Sequence, residues 1–177
     1  MKKTLLSLAI ASLAAGQSVC AAVEKVYNEP DSVYIFSYAH PEDEGRSGLK
    51  FAWSPDGDKW LSVSDGFAYL KCDFGRWGAE KRMIKPLLEK AEDGRWYCRW
   101  QLTPSGKVWG TSHSSDLLKW APQQYVNAEK PAMPRLVTAR QIVLDKDTLN
   151  GYMQKVPYAD IEQLIRFAEH KKFRDIQ

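Results

Sequence analysis

Asp73 and Glu80 are the carboxylates of this chain whose surroundings best suit chemistry. They flank Arg76 and Trp77, and Lys81 and Arg82 follow directly. Cleavage of a glycosidic bond needs two such groups, one acid and one base or nucleophile, at a separation that decides the stereochemical outcome. The acid must be kept protonated by an apolar neighbour. The same residues also suit sugar binding, in which the CH-rich face of the ring stacks on an aromatic and charged groups hold the hydroxyls. Trp77, beside Gly75 and Gly78, is the aromatic best placed for that role. Arg76 and Arg82 stand next to it, and His113 is a further candidate contact. Two plainer readings stand beside these: the Asp73 to Arg82 cluster is an internal ion-pair network, and His113 satisfies a carbonyl at a strand end. No metal-ligand spacing, phosphate loop or Ser-His-Asp context occurs, so neither a metal nor a cofactor is expected.

The elements around this cluster repeat. Val33 to Trp60 and Trp96 to Trp120 each run as an aromatic-rich strand, a polar turn, a second strand and a Ser-containing turn with Asp that closes on Lys-Trp. Asp56 and Asp116 lie sixty residues apart, as do Trp60 and Trp120. In SPDGDKW and SSDLLKW a carboxylate can staple the turn to backbone N–H groups, so Asp56 and Asp116 read as structural. A unit of this kind cannot bury its own apolar face, and its recurrence points to a radial array of sheets. The expected fold is all-β and propeller-like, with two blade-like antiparallel sheets in an incomplete propeller, a C-terminal β-turn and one α-helix.

Strands are expected over 32–38, 49–53, 60–63, 67–72, 87–89, 96–102, 107–113 and 140–144. Turn residues fill Asp145 to Gly151. Pro157 then opens a helix whose apolar stripe is Ile161, Leu164, Ile165 and Ala168. The organisation reads as a leader over 1–21, a β domain over 22–126, a linker over 127–134 and a strand-plus-helix tail over 135–177.

The leader follows the order of a secretory signal peptide: Lys2 and Lys3, an apolar run from Leu5 to Ala15, then small residues to Ala22. Secretion, the periplasm or the cell surface is the expected location. Cys20 either lies in the discarded peptide or carries a lipid, and the bulk of Val19 favours the first. Removing two lysines leaves 23 basic residues from 25, against 22 acidic. A near-neutral chain has no electrostatic footprint for nucleic acid. Cys72 and Cys98 either pair in an oxidising compartment or remain as small buried thiols. All seven Trp fall between Trp53 and Trp120. In part they must be core.

The combination of YIFSY, LKFAWSPDGDKW, FGRWGAEKRM, DGRWYCRW and SSDLLKW resembles the five-bladed propellers of glycoside hydrolase family 43. It looks most like the propeller-like segment of exported arabinofuranosidases of Bacteroides-type bacteria, over roughly Ser32 to Tyr125. The resemblance implies a module of a glycan-degrading system that engages plant or host polysaccharide, with another domain or chain covering the open blade edge. In such enzymes an aspartate precedes the proline of the second blade, a carboxylate base stands in the first and a glutamate acid in the third. Here Lys85 precedes Pro86, and no matching aspartate or glutamate is evident. A lysine there reverses the sign of the field on a neighbouring acid. The resemblance therefore implies carbohydrate binding more than catalysis. The alternatives are an active arabinofuranosidase- or xylosidase-type enzyme using Asp73 and Glu80, and a structural spacer.

Overall fold

The computed structural model of the chain describes residues 30–64, 66–77, 80–128 and 132–175. The leader over 1–21, Cys20 included, lies outside the described residues. The strands are β1 (Ser32–Tyr38), β2 (Lys50–Ser54), β3 (Leu61–Ser62), β4 (Ile84–Lys90), β5 (Trp96–Gln101), β6 (Val108–Ser114), β7 (Gln124–Asn127), β8 (Thr138–Leu144) and β9 (Asp147–Pro157). A 3-10 turn (Tyr158–Asp160) and one helix, α1 (Glu162–Asp175), follow. They form two antiparallel sheets, in the orders β3-β2-β1-β9-β8 and β4-β5-β6-β7. The described residues are therefore mostly β with one α-helix among them, and neither sheet closes on itself.

β1 is apolar along nearly its whole length because both of its faces are covered. Val33 and Ile35 enter the main core, whereas Phe36 and Tyr38 enter a second cluster with Ala52, Ile142, Leu144 and Leu149. β5 alternates instead, with Trp96, Cys98 and Trp100 buried and the residues between them only partly so. The Trp100 ring lies over Gly110, where an added Cβ would stand 2.2 Å from it. The main core holds Phe51, Met83, Trp96, Trp100 and Leu117, closed from below by Ile161, Leu164, Ile165 and Ala168 of α1. That is the stripe expected from helical spacing. Truncating such a large core side chain to alanine costs about 3–5 kcal/mol.

Three local expectations change. Residues 67–72 make only one isolated bridge, Leu49 to Leu70, instead of a strand. The turn expected over 145–151 shrinks to Asp145 and Lys146, both at positive φ, and Asp147 begins an eleven-residue strand. Pro157 ends that strand, and the helix starts at Glu162. Residues 135–177 thus supply β8 and β9, and β9 pairs with β1 from Ser32↔Pro157 to Tyr38↔Gly151. Cys72 and Cys98 are buried free thiols. Burial pushes the Cys98 thiol well above its ordinary pKa.

The two repeated turns carry the same hydrogen bonds. Ser54 Oγ donates to Asp56 Oδ1 at 2.9 Å and accepts the Gly57 N–H at 2.8 Å. Asp56 Oδ1 accepts the N–H groups of Asp58 and Lys59 at 2.8 and 2.9 Å. In the second copy Ser114 donates to Asp116 at 3.1 Å and accepts from Leu117 at 2.9 Å, while Asp116 Oδ1 accepts from Leu118 and Lys119 at 2.9 and 2.8 Å. Both turns need a left-handed residue in the same place, Gly57 at φ 87° and Leu117 at φ 64°. Leucine there is strained by about 1–3 kcal/mol, which full burial of its side chain, at about 1.5–3 kcal/mol, offsets.

These staples set an acid limit on stability. The N–H groups of Lys59 and Asp58 and the Ser54 hydroxyl hold the Asp56 carboxyl down from 3.8 to about 2. For Asp116, partial burial pulls upward, but the amides of Lys119 and Leu118 and the Ser114 hydroxyl leave it below its ordinary value. The unfolded chain takes up a proton near 3.8 that folded Asp56 refuses until about 2. The stabilisation is thus present above the unfolded value and lost as pH falls through the folded one. In urea denaturation, wild type should lose stability across that window. The double variant Asp56→Asn/Asp116→Asn, which keeps an accepting oxygen without the titration, should show a flatter profile.

Candidate functional site

The segment 72–82 connects the first sheet to β4 and owes its shape to a few polar contacts. Cys72 is buried at its start, and Asp73 follows on the surface. The phenol of Tyr125, on β7, lies 2.6 Å from both Asp73 Oδ1 and Gln123 Oε1. The Asp73 N–H turns back toward Gln123 Oε1 at 3.2 Å, and Gln123 Nε2 donates to the Lys71 carbonyl at 2.6 Å. Burial, with the Asp73 and Cys72 contacts, pushes the Tyr125 phenol far above its ordinary range. Phe74 packs on the Tyr125 ring, with centroids 4.8 Å apart.

Glu80 locks the other half of the loop. Its Oε2 accepts the N–H groups of Arg76 and Trp77 at 3.0 and 3.2 Å. Its own N–H donates to the Trp77 carbonyl at 3.0 Å. Gly75 makes the turn possible, at φ 75° with the Glu80 carboxylate against it. Trp77 is carried on this frame with its side chain 73% exposed, and Arg76 beside it is exposed as well.

The six site residues read from the sequence therefore separate into three places. Asp73, Arg76, Trp77 and Glu80 share the loop. Asp73 faces Tyr125 and Glu80 faces the loop's own amides, so each carboxylate serves as a hydrogen-bond acceptor within the structure. Both are exposed. Arg82 turns away toward the first sheet, pairing with Glu44 at 2.9 Å, and Glu44 also holds Arg46 at 3.0 Å. His113 sits on β6 opposite Tyr97, with ring centroids 5.7 Å apart, and Tyr97 donates to Asp93 at 2.9 Å. The closing tryptophans are half-buried: Trp60 packs on Phe36, and Trp120 donates its indole N–H to the Leu117 carbonyl at 3.2 Å.

A cavity of about 350 Å³ lies between the 39–45 loop, the start of β4 and β9, and Arg82, Lys85, Pro86, His40 and Asn150 contribute to its wall. Asp73, Trp77 and Glu80 do not line it. Sequence reasoning missed Tyr125 and Gln123 as anchors of the loop, and His40 and Asn150 as cavity residues. Lys85 stood out in the sequence only by preceding Pro86. Among the described residues no cluster of three or more His, Cys, Asp or Glu side chains is arranged to hold a metal ion. No helix among them is long and apolar enough to cross a membrane.

Comparison with protein-family models, curated proteins and solved structures finds no match to this chain.

Gly75 gives a direct test of the loop frame. Gly75→Ala places a methyl 2.2 Å from Glu80 Oε2 at a φ that side chains resist. The variant should keep its thermal midpoint within a few degrees, since no core residue is involved, but expose the bonds around 75–80 to limited proteolysis. Cleavage as slow as in wild type would show that the Glu80 contacts do not set the loop's conformation.

Proposed function

We propose that this chain is a non-catalytic, carbohydrate-binding module of an exported glycan-degrading system, with propeller-like architecture. The observation that carries the reading is Trp77, 73% exposed on a loop whose backbone Glu80 has fixed. A large exposed aromatic face on a backbone already fixed spares the loop part of the ordering cost when a sugar ring stacks on it. Arg76 and the Asp73–Gln123–Tyr125 group supply donors and acceptors for hydroxyls along the same loop.

Two further observations support the reading. The first sheet has five strands and the second four, and in each the Ser–Asp staple follows an inner strand, β2 in one and β6 in the other, a recurrence in keeping with two units of one design. The engagement of both carboxylates as loop acceptors favours binding over hydrolysis. The likeness of the sequence motifs to family 43 propellers points to the same class of ligand, a plant or host polysaccharide.

A glycan array, with arabinose- and xylose-linked chromogenic substrates alongside, tests the proposal on wild type, Trp77→Ala and Glu80→Gln. Wild type should bind polysaccharide and turn over neither substrate. Trp77→Ala should weaken binding by roughly tenfold, the worth of about 1.4 kcal/mol of stacking and buried area. Hydrolysis by wild type that Glu80→Gln abolishes would make the chain an enzyme. Absence of any glycan binding would leave it a spacer.

A further inference from the structure

The residue before a proline is normally driven to extended backbone, and a side chain at positive φ is unusual anywhere. Lys85, directly before Pro86, sits at φ 51°. The pairing of β4 with β5 shifts register between Ile84 and Leu87, so this conformation lifts Lys85 out of the ladder. The surroundings hold it there: Pro86 is fully buried and its carbonyl accepts the Ser37 hydroxyl at 3.0 Å. Backbone strain enforced from both sides of one residue is a mark of a functional position.

The strain aims Lys85 at space. Lys85 and Asn150 both line the 350 Å³ cavity and an adjoining cleft that also includes Arg140. The cavity adds Arg82 and His40 to its polar wall and Pro86 to its apolar one. Its acid is Glu44, already shared between Arg46 and Arg82. Lys85 itself has no ion pair among the described residues. A small, mostly apolar cavity with convergent cations and one compensated carboxylate is suited to an anion carried on a compact ring.

We propose that this cavity binds the carboxylate of an acidic sugar, a uronate residue, with Lys85 as the anchoring cation, Arg82 beside it and Asn150 for a hydroxyl. The anion preference stands on the cavity alone; the sugar rests on the carbohydrate reading above.

Calorimetric titration with trigalacturonate and its neutral methyl ester tests it, on wild type, Lys85→Asn, Lys85→Arg and Trp77→Ala. Asparagine tolerates the left-handed backbone, so Lys85→Asn removes the charge without unfolding the bulge, which an unchanged thermal midpoint verifies. Wild type should prefer the acid to the ester and lose affinity with added salt. Lys85→Asn should weaken acid binding by on the order of tenfold or more, the worth of one charge-assisted contact, and Lys85→Arg should retain most of it. Equal binding of acid and ester, or Lys85→Asn binding as wild type does, would overturn the site while leaving the Trp77 surface untouched. Acid binding abolished in Lys85→Asn and unchanged in Trp77→Ala would uphold it, even with no neutral glycan bound anywhere on the protein.

Discussion

One buried hydroxyl sits where the two sheets join. Ser37, 1% exposed near the end of β1, lies 3.0 Å from the Pro86 carbonyl on β4 and 3.4 Å from the Tyr152 carbonyl on β9. Most of β1 is apolar on both faces, so this contact is the polar joint of an otherwise hydrophobic seam. A buried carbonyl left without a partner costs about 1–3 kcal/mol, so the hydroxyl fixes how β4 meets the first sheet. The joint also requires β9 to lie very close to β1. Gly151 permits that, since a Cβ there would stand 2.3 Å from the Ser37 carbonyl oxygen and 2.6 Å from the Phe36 ring. The first sheet is therefore completed from the far end of the chain. Its closure comes late in entropic terms, because more than a hundred residues must be looped before β1 and β9 pair.

Around that seam the same turn solves the same problem twice and then diverges. Ser54–Asp56 and Ser114–Asp116 satisfy equivalent backbone donors, but the left-handed position is glycine in one and leucine in the other. Gly57 packs under Tyr34, where an added Cβ would come within 3.3 Å of the ring. Leu117 fills the main core instead. The tryptophans that follow part company accordingly, Trp60 toward the second cluster and Trp120 toward the main one. The repeat is conserved in its hydrogen bonds and not in its packing, because the stapled carboxylate answers a local backbone need while the side chains answer whichever sheet lies above.

This division explains how much was legible beforehand. The strand SVYIFSY, the alternation of WYCRWQ, the staples and the stripe of α1 all follow from local pattern and could be read as such. The eleven residues of β9 could not, because Asn150 and Gly151 look like a turn, whereas Gly151 is there for close approach to β1. Residues 67–72 carry strand-forming aromatics, yet they find only Leu49 to pair with, and Phe67 and Tyr69 are spent on ring contacts with each other and Phe167. The amides of Arg76 and Trp77 that Glu80 accepts from were not legible, since sequence shows a carboxylate and not its partners. The cavity at Lys85 was invisible because its walls come from β4, β9 and the 39–45 loop, which are far apart in the chain and are brought together by the Ser37 joint and the Met83–Gly45 hydrogen bond.

The segment from Asp73 to Pro86 can now be understood as a strap pinned at both ends by hydroxyls from distant strands, Tyr125 at one and Ser37 at the other. Between the pins Met83 is fully buried, and its N–H donates to the Gly45 carbonyl at 3.1 Å. Gly45 must be glycine for that approach, at φ 78° with a would-be Cβ 2.4 Å from the Met83 oxygen. Among the described residues the strap therefore has three fixed points and two exposed places. Trp77 stands on the first, held by Glu80, and Lys85 on the second, held by the bulge. A chain that only needed to link two sheets could do so without an exposed indole and without a lysine forced to positive φ. Lys85 forgoes stability that an extended backbone would recover, and the bulge between Ile84 and Leu87 with buried Pro86 holds it there. At Lys85 a local backbone cost is thus sustained by the structure around it.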